Sequence, residues 1–140
     1  MYNLQILEIS LLPVSFLLTG LVRIFVFIVP FKQIHRITRS ATTQPDINEL
    51  DRCTRIARVV QNVSYHTPWE SNCLVQSLSV FLLARLFAIP TELNLGARSQ
   101  DDGMLETHAW LTCGSHVVIG DIELGTYSPF PNEGAKAPEK

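Results

Sequence analysis

Glu70-Ser71-Asn72-Cys73-Leu74-Val75-Gln76-Ser77-Leu78-Ser79-Val80-Phe81-Leu82-Leu83 is the stretch that organises the chain. Three polar residues give way at Cys73 to an apolar run in which Leu74, Val75, Leu78, Phe81, Leu82 and Leu86 recur at the spacing of one helical face. Ser71 and Asn72 are both good N-cap residues, because a short side-chain oxygen can accept from the unpaired amides of a first turn. Ala88-Ile89-Pro90 closes the run, since proline cannot continue the hydrogen-bond ladder and constrains the residue before it. The pattern predicts a helix with Cys73 in its first turn, where unpaired N–H groups favour a negative sulfur, the reactive form of a thiol. The competing reading makes Cys73 a small, inert hydrophobe buried in a core.

The segment that follows supplies partners for a thiol. Leu105 to Cys113 alternates as a strand does, Gly114-Ser115 reads as a two-residue turn, and His116 to Ile119 reads as the returning strand of a hairpin. Side chains alternate across a strand, so His108 shares a face with Trp110 and Thr112, while Ala109, Leu111 and Cys113 point the other way. Asp121 follows the second strand after Gly120 and is placed to bring a carboxylate toward the imidazole, with Glu123 two residues on as the alternative. The order Cys73, His108, Asp121 is that of a nucleophile, its base and the group that orients the base. Plainer roles exist for each: a sheet-face histidine satisfied by a backbone carbonyl, a core tryptophan at Trp110, a turn aspartate. Metal binding by His108, Cys113 and His116 is disfavoured, because two of them face apart and the spacing fits no zinc motif; no metal and no cofactor is expected.

These residues resemble the lasso peptide biosynthesis B2 proteins, leader peptidases with a transglutaminase-like, papain-related fold. The resemblance is carried by Arg55-Ile56-Ala57-Arg58, Pro68-Trp69, Cys73-Leu74-Val75-Gln76-Ser77-Leu78 and Ile89-Pro90. It continues through Gly96-Ala97-Arg98, His108-Ala109-Trp110, Val117-Val118-Ile119-Gly120 and Tyr127-Ser128-Pro129-Phe130, and Val29-Pro30-Phe31-Lys32 looks like the end of that family's opening helix. Thr107 stands where an alanine usually precedes the histidine. The resemblance implies Cys73 as nucleophile, His108 as base and Asp121 as third member, acting without a cofactor on a ribosomally made precursor peptide cut between leader and core. It also implies a separate leader-recognition protein of the B1 type that presents the substrate, and an ATP-dependent lasso cyclase in the same pathway. Trp69 either walls the substrate groove or anchors its loop, and Trp110 is a second candidate for substrate contact. Two rival functions are an acyltransferase or transglutaminase-type enzyme on the same triad and a non-catalytic scaffold of a membrane-associated complex.

Composition is compatible with such an enzyme. A chain of 140 residues suits one domain, and a formal charge of −2 does not suit a general nucleic-acid binder. Three cysteines, Cys53, Cys73 and Cys113, cannot all pair and read as free thiols in a reducing cytoplasm. Leu11 to Phe31 is almost continuously apolar and about as long as a membrane span requires, with Arg23 near its middle and Lys32, His35, Arg36 and Arg39 after it. Neither a basic n-region nor a cleavage site marks it as a secretory signal. If it spanned, the basic flank would leave the remainder inside the cell. The competing expectation, which the resemblance favours, is a helix packed within the domain, with peripheral association at the inner face of the membrane as a further expectation.

The rest completes an α+β chain. Residues 40–45 read as a linker, and Thr43 with Asp46 resembles a capping box for a helix from about Pro45 or Asp46 to Ser64. On that helix Leu50, Cys53, Ala57, Val60 and Ser64 form the core stripe, while Arg52, Arg55 and Arg58 mostly face solvent. Thr91 to Arg98 alternates as a half-buried strand, and Asp101-Asp102-Gly103 is a turn without the ligand series of a calcium loop. A single domain is expected over residues 1–130, with its catalytic core at 46–130. Residues 131–140, rich in proline, glycine and charge, are expected to be a disordered tail.

Overall fold

The computed structural model describes residues 2–29, 33, 44–68, 72–120 and 128–129. Within them lie helices α1 (Tyr2–Ile28), α2 (Ile47–Ser64) and α3 (Cys73–Leu86), then strands β1 (Glu92–Ser99), β2 (Leu105–Cys113), β3 (His116–Ile119) and the two-residue β4 (Ser128–Pro129). The strands form one antiparallel sheet in the order β3-β2-β1-β4. This is the α+β architecture expected, helices first and sheet after.

The helices bury the apolar stripes that periodicity marks. On α2 the buried residues are Cys53, Ile56, Ala57, Val59, Val60 and Val63. Its cap differs from the expected one by three residues. Asp46 is the N-cap, its carboxylate accepting from the Ile47 amide, and Glu49 reaches back to the Asp46 amide at 2.8 Å. Acid at position three of the motif thus completes a capping box one turn later than the Thr43–Asp46 pairing suggested. Of the three arginines, Arg55 bonds Asp51 within the helix and pairs with Glu8 of α1. Arg52 lies over the Phe87 ring, and Arg58 is exposed.

Helix α3 buries Val75, Leu78, Val80, Phe81, Leu83 and Ala84, with the hydroxyls of Ser77 and Ser79 buried among them. Asn72 caps its start by accepting from the Val75 amide at 3.1 Å. The helix ends at Leu86, before Pro90 acts. The Ile89 amide bonds the Ala84 carbonyl at 2.9 Å and the Ala88 amide bonds Arg85 at 3.1 Å, the paired bonds of a Schellman ending. That motif needs a left-handed residue, and here an alanine supplies it, Ala88 with φ 55°. Buried Ile89 then locks the exit.

Helix α1 packs on both α2 and α3. It begins well before the apolar run and passes through Pro13, which lies on its exposed side. Residues 8–28 are long and apolar enough to cross a membrane by length and composition. Its inward residues include Leu11 and Val22, which join the common core with Val60, Val75, Leu83, Leu93, Leu111, Cys113 and Ile119.

β1 pairs with β2 along its whole length, Leu93 opposite Leu111, Leu95 opposite Ala109 and Gly96 opposite His108. Leu93, Leu95, Ala109, Leu111 and Cys113 therefore share the face that carries the core, and His108, Trp110 and Thr112 share the other. The β2–β3 turn places Gly114 at φ 62°, the left-handed conformation its first central position requires, and a side chain there would strike the Pro45 ring. A bulge between Leu111 and Thr112 bends the pairing, and β3 ends at Ile119 opposite Leu111. The half of β2 that carries His108 lies beyond the last β2–β3 pair.

Candidate active site

Cys73 occupies the first position of α3 and is partly exposed, whereas Cys53 and Cys113 are fully buried. The Asn72 side chain and carbonyl accept from Val75 and Gln76, so the cap orders the turn around the sulfur-bearing residue. The amides of a first turn have no intrahelical acceptor, which makes the Cys73 N–H suited to an oxyanion beside the sulfur.

Two contacts orient α3 against the sheet. One turn after Cys73, the hydroxyl of fully buried Ser77 donates to the Ala109 carbonyl at 3.3 Å. Past the far end of the helix, the Cys113 thiol donates to the Pro90 carbonyl at 3.5 Å. α3 and β2 thus run in the same direction. One turn back from Ser77 is about 6 Å of helix, or about two residues of strand. Cys73 is accordingly placed at the level of the strand residues just before Ala109, where His108 lies.

His108 is 8 % exposed, and its Nε2 lies 3.0 Å from the Gly120 carbonyl oxygen. A carbonyl only accepts, so Nε2 carries the proton and in the neutral ring the lone pair belongs to Nδ1. The bond draws the ring toward the β3 side of β2, the side on which Ser77 meets Ala109. Trp110 stacks on the imidazole, with ring centroids 6.2 Å apart and planes 15° from parallel. Gly96 opposite adds no side chain, and further along the same face Arg98 binds the Glu106 carboxylate at 2.7 and 2.8 Å.

Gly120 makes this geometry available. Its φ is 81°, and a Cβ there would lie 2.6 Å from the Ala109 carbonyl oxygen and 2.9 Å from the Trp110 Cα. Only glycine lets the chain leave β3 so close to β2 while turning its carbonyl to His108. Past Ile119, the Ala109 carbonyl is bonded by a helix hydroxyl.

α3 therefore starts alongside the first half of β2, the half that carries His108. His108 and Cys113 occupy opposite faces, with exposed His116 beside Cys113 at the turn. Among the described residues no cluster of three histidine, cysteine or acidic side chains is placed to hold a metal. Trp69, Asp121 and Glu123 lie outside the described residues, and so do the linker before Gln44 and the C-terminal residues 130–140. Trp110 lies within the described residues and stacks on His108.

Two contributors escaped the sequence reading. Ser77 is a hydroxyl in an apolar helix, four residues after Cys73, and that spacing was its only signal. Gly120 precedes Asp121 in the sequence, and its own carbonyl holds the histidine through a long-range contact that spacing does not signal.

Away from the site, burial pushes the Cys53 thiol up to about 12, with Cys113 adding to the effect. Burial also raises Cys113. Both are core thiols held in their neutral form.

Comparison with curated proteins and with solved structures finds no match. The transglutaminase-like superfamily domain matches residues 16–130, a span that begins within α1, includes Cys73 and His108, and covers well over half of the chain. Superfamily members are typically enzymes with a Cys-His-Asp site and cysteine protease or acyl-transfer chemistry. On the extent of this match and the α+β fold that accompanies it, the chain belongs to the transglutaminase-like superfamily.

Proposed function

We propose that the chain is a cysteine peptidase that removes the leader from a ribosomally synthesised lasso precursor peptide, with Cys73 as nucleophile, His108 as base and Asp121 as the group that steadies the imidazolium. The observation that carries the reading is the Nε2 bond of His108 to Gly120, which assigns the basic lone pair to Nδ1, together with the place of Cys73 at the first position of α3. Nδ1 takes the proton of the Cys73 thiol as the sulfur attacks the scissile carbonyl. The tetrahedral oxyanion accepts from the Cys73 amide at the helix start. Nδ1 then returns the proton to the departing amine, and water hydrolyses the thioester to free the leader carboxylate and restore the thiol. Trp110, stacked on His108, limits the ring's motion and screens it from water. Trp69, four residues before Cys73 in the sequence, is assigned to the groove.

The partners in this reading are the precursor, a leader-recognition protein that presents it, and an ATP-dependent lasso cyclase that uses the amine released by cleavage. It places the enzyme in the cytoplasm, where its thiol stays reduced. The test is incubation of the chain and a leader-recognition protein with the cognate precursor, read by mass spectrometry of the fragments. One cut between leader and core is expected, abolished by Cys73→Ala. Cutting that survives the substitution rejects the nucleophile, and a product joined to an added amine in place of a free carboxylate assigns acyl transfer instead.

A further inference from the structure

We propose that α1 is an in-plane membrane anchor, seated with its outward face in the interfacial region of an anionic bilayer while its inward face stays packed on α2 and α3. The first observation is that the helix is polarised inside out. Toward the protein it turns the hydroxyls of Ser15 and Thr19, both 0 % exposed. Toward the outside it turns Leu12, Phe16, Leu17, Leu21, Ile24 and Phe27, all exposed. Among exposed residues between Glu8 and Val29, Ser10 alone is polar. α2 has the opposite arrangement, with Cys53, Ala57 and Val60 inward and Asp51, Arg52, Arg58 and Gln61 outward. A helix that meets water looks like α2, and an apolar arc covering more than half the circumference of a 27-residue helix is a surface for hydrocarbon.

The second observation selects lipid as the occupant. From Ile9 to Pro45 the sequence contains no Asp or Glu, yet it holds Arg23, Lys32, Arg36 and Arg39, in a chain whose formal charge is −2. Basic residues at and just beyond one end of an apolar helix complement an anionic leaflet, each contributing about 1 kcal/mol near its surface.

Packing selects the in-plane orientation. Leu11 and Val22 are both in the core with α2 and α3, so the helix lies along the domain for much of its length. Crossing the bilayer would strip those contacts and carry Arg23 into hydrocarbon. Lying flat keeps them, and leaves Arg23, half-buried, at the rim of the apolar arc.

The test uses the full chain with vesicles of phosphatidylcholine alone or with about 30 % phosphatidylglycerol, read by flotation. Binding to the anionic vesicles should be at least tenfold tighter. Leu17→Gln with Leu21→Gln and Ile24→Gln should cut it tenfold or more while circular dichroism and Tm stay unchanged, because all three side chains point away from the domain. Nitroxides at Ile9→Cys, Leu17→Cys and Ile24→Cys, introduced into Cys73→Ser, should report depths that agree within about 5 Å. Depths graded over about 20 Å along the helix would mean a span and overturn the in-plane seat. Vesicle binding unaffected by the triple substitution, or a dimer that shields α1 and ignores vesicles, would overturn the anchor itself.

Discussion

His108 Nε2 and the Gly120 carbonyl are 3.0 Å apart, joining the middle of β2 to the residue at which the chain leaves β3. The bond fixes a tautomer and a ring direction with a backbone group, so the proposed base is set by the path of the chain before any carboxylate acts on it. Gly120 can give its carbonyl to the ring only in a left-handed conformation, pressed against Ala109 and Trp110.

Gly120→Ala is accordingly expected to be severe. The added Cβ strikes backbone at 2.6 Å and the φ of 81° is strained for any L side chain, so a stability loss of about 2–4 kcal/mol follows. Urea unfolding measures it. The proposed peptidase activity should fall about a hundredfold or more under conditions where the variant is still folded, because the carbonyl that holds His108 must shift.

Ser77→Ala removes the hydroxyl that bonds the Ala109 carbonyl one turn after Cys73. The variant leaves a buried acceptor without this partner, at a cost of about 1–2 kcal/mol. Activity should drop about tenfold with little change in substrate KM, since the loss is in the register of α3 against β2. Steady-state kinetics beside a denaturation curve separates the two effects.

Much of this was legible in the residues. The alternation of Leu105 to Cys113 gave β2 its bounds as observed, and the Asn72 cap with the apolar spacing after it gave α3 its start. The end of α3 was read from Pro90, but the termination is a left-handed alanine at 88, a conformation whose usual residue is glycine, so nothing local announced it. Thr43 with Asp46 satisfies the same capping pattern as Asp46 with Glu49, and it is the second pair, with both acids bonded, that caps α2. The role of Gly120 depends on a long-range contact with β2, which sequence spacing does not carry.

Ala88→Gly should stabilise the protein. A left-handed L residue is strained by roughly 1–2 kcal/mol, and glycine relieves most of that at a smaller entropic cost. A gain of about 0.5–1 kcal/mol is expected in urea, with activity unchanged, because Ala88 sits at the end of α3 remote from Cys73.

The buried thiols predict a loss of stability in alkali. The Cys53 thiol is raised from 9.0 to about 12 by burial and by Cys113. Below pH 9 it is protonated in both states and adds no pH dependence. Between pH 9 and 12 the unfolded chain releases the proton that the folded chain keeps, so stability falls as pH rises, by up to about 1.4 kcal/mol per pH unit for this thiol. Cys113, raised in the same direction, adds to the slope. Denaturation midpoints against pH, compared with Cys53→Ala, should show a shallower alkaline decline in the variant.

The account rests on the Cys73 sulfur and the His108 imidazole acting as one unit, and alkylation measures that without any substrate. Iodoacetamide on the native chain should modify Cys73 alone, Cys53 and Cys113 being fully buried. His108→Gln should slow that reaction tenfold or more at the same pH. Equal rates and equal pH dependence in the two proteins would contradict the pairing of Cys73 with His108.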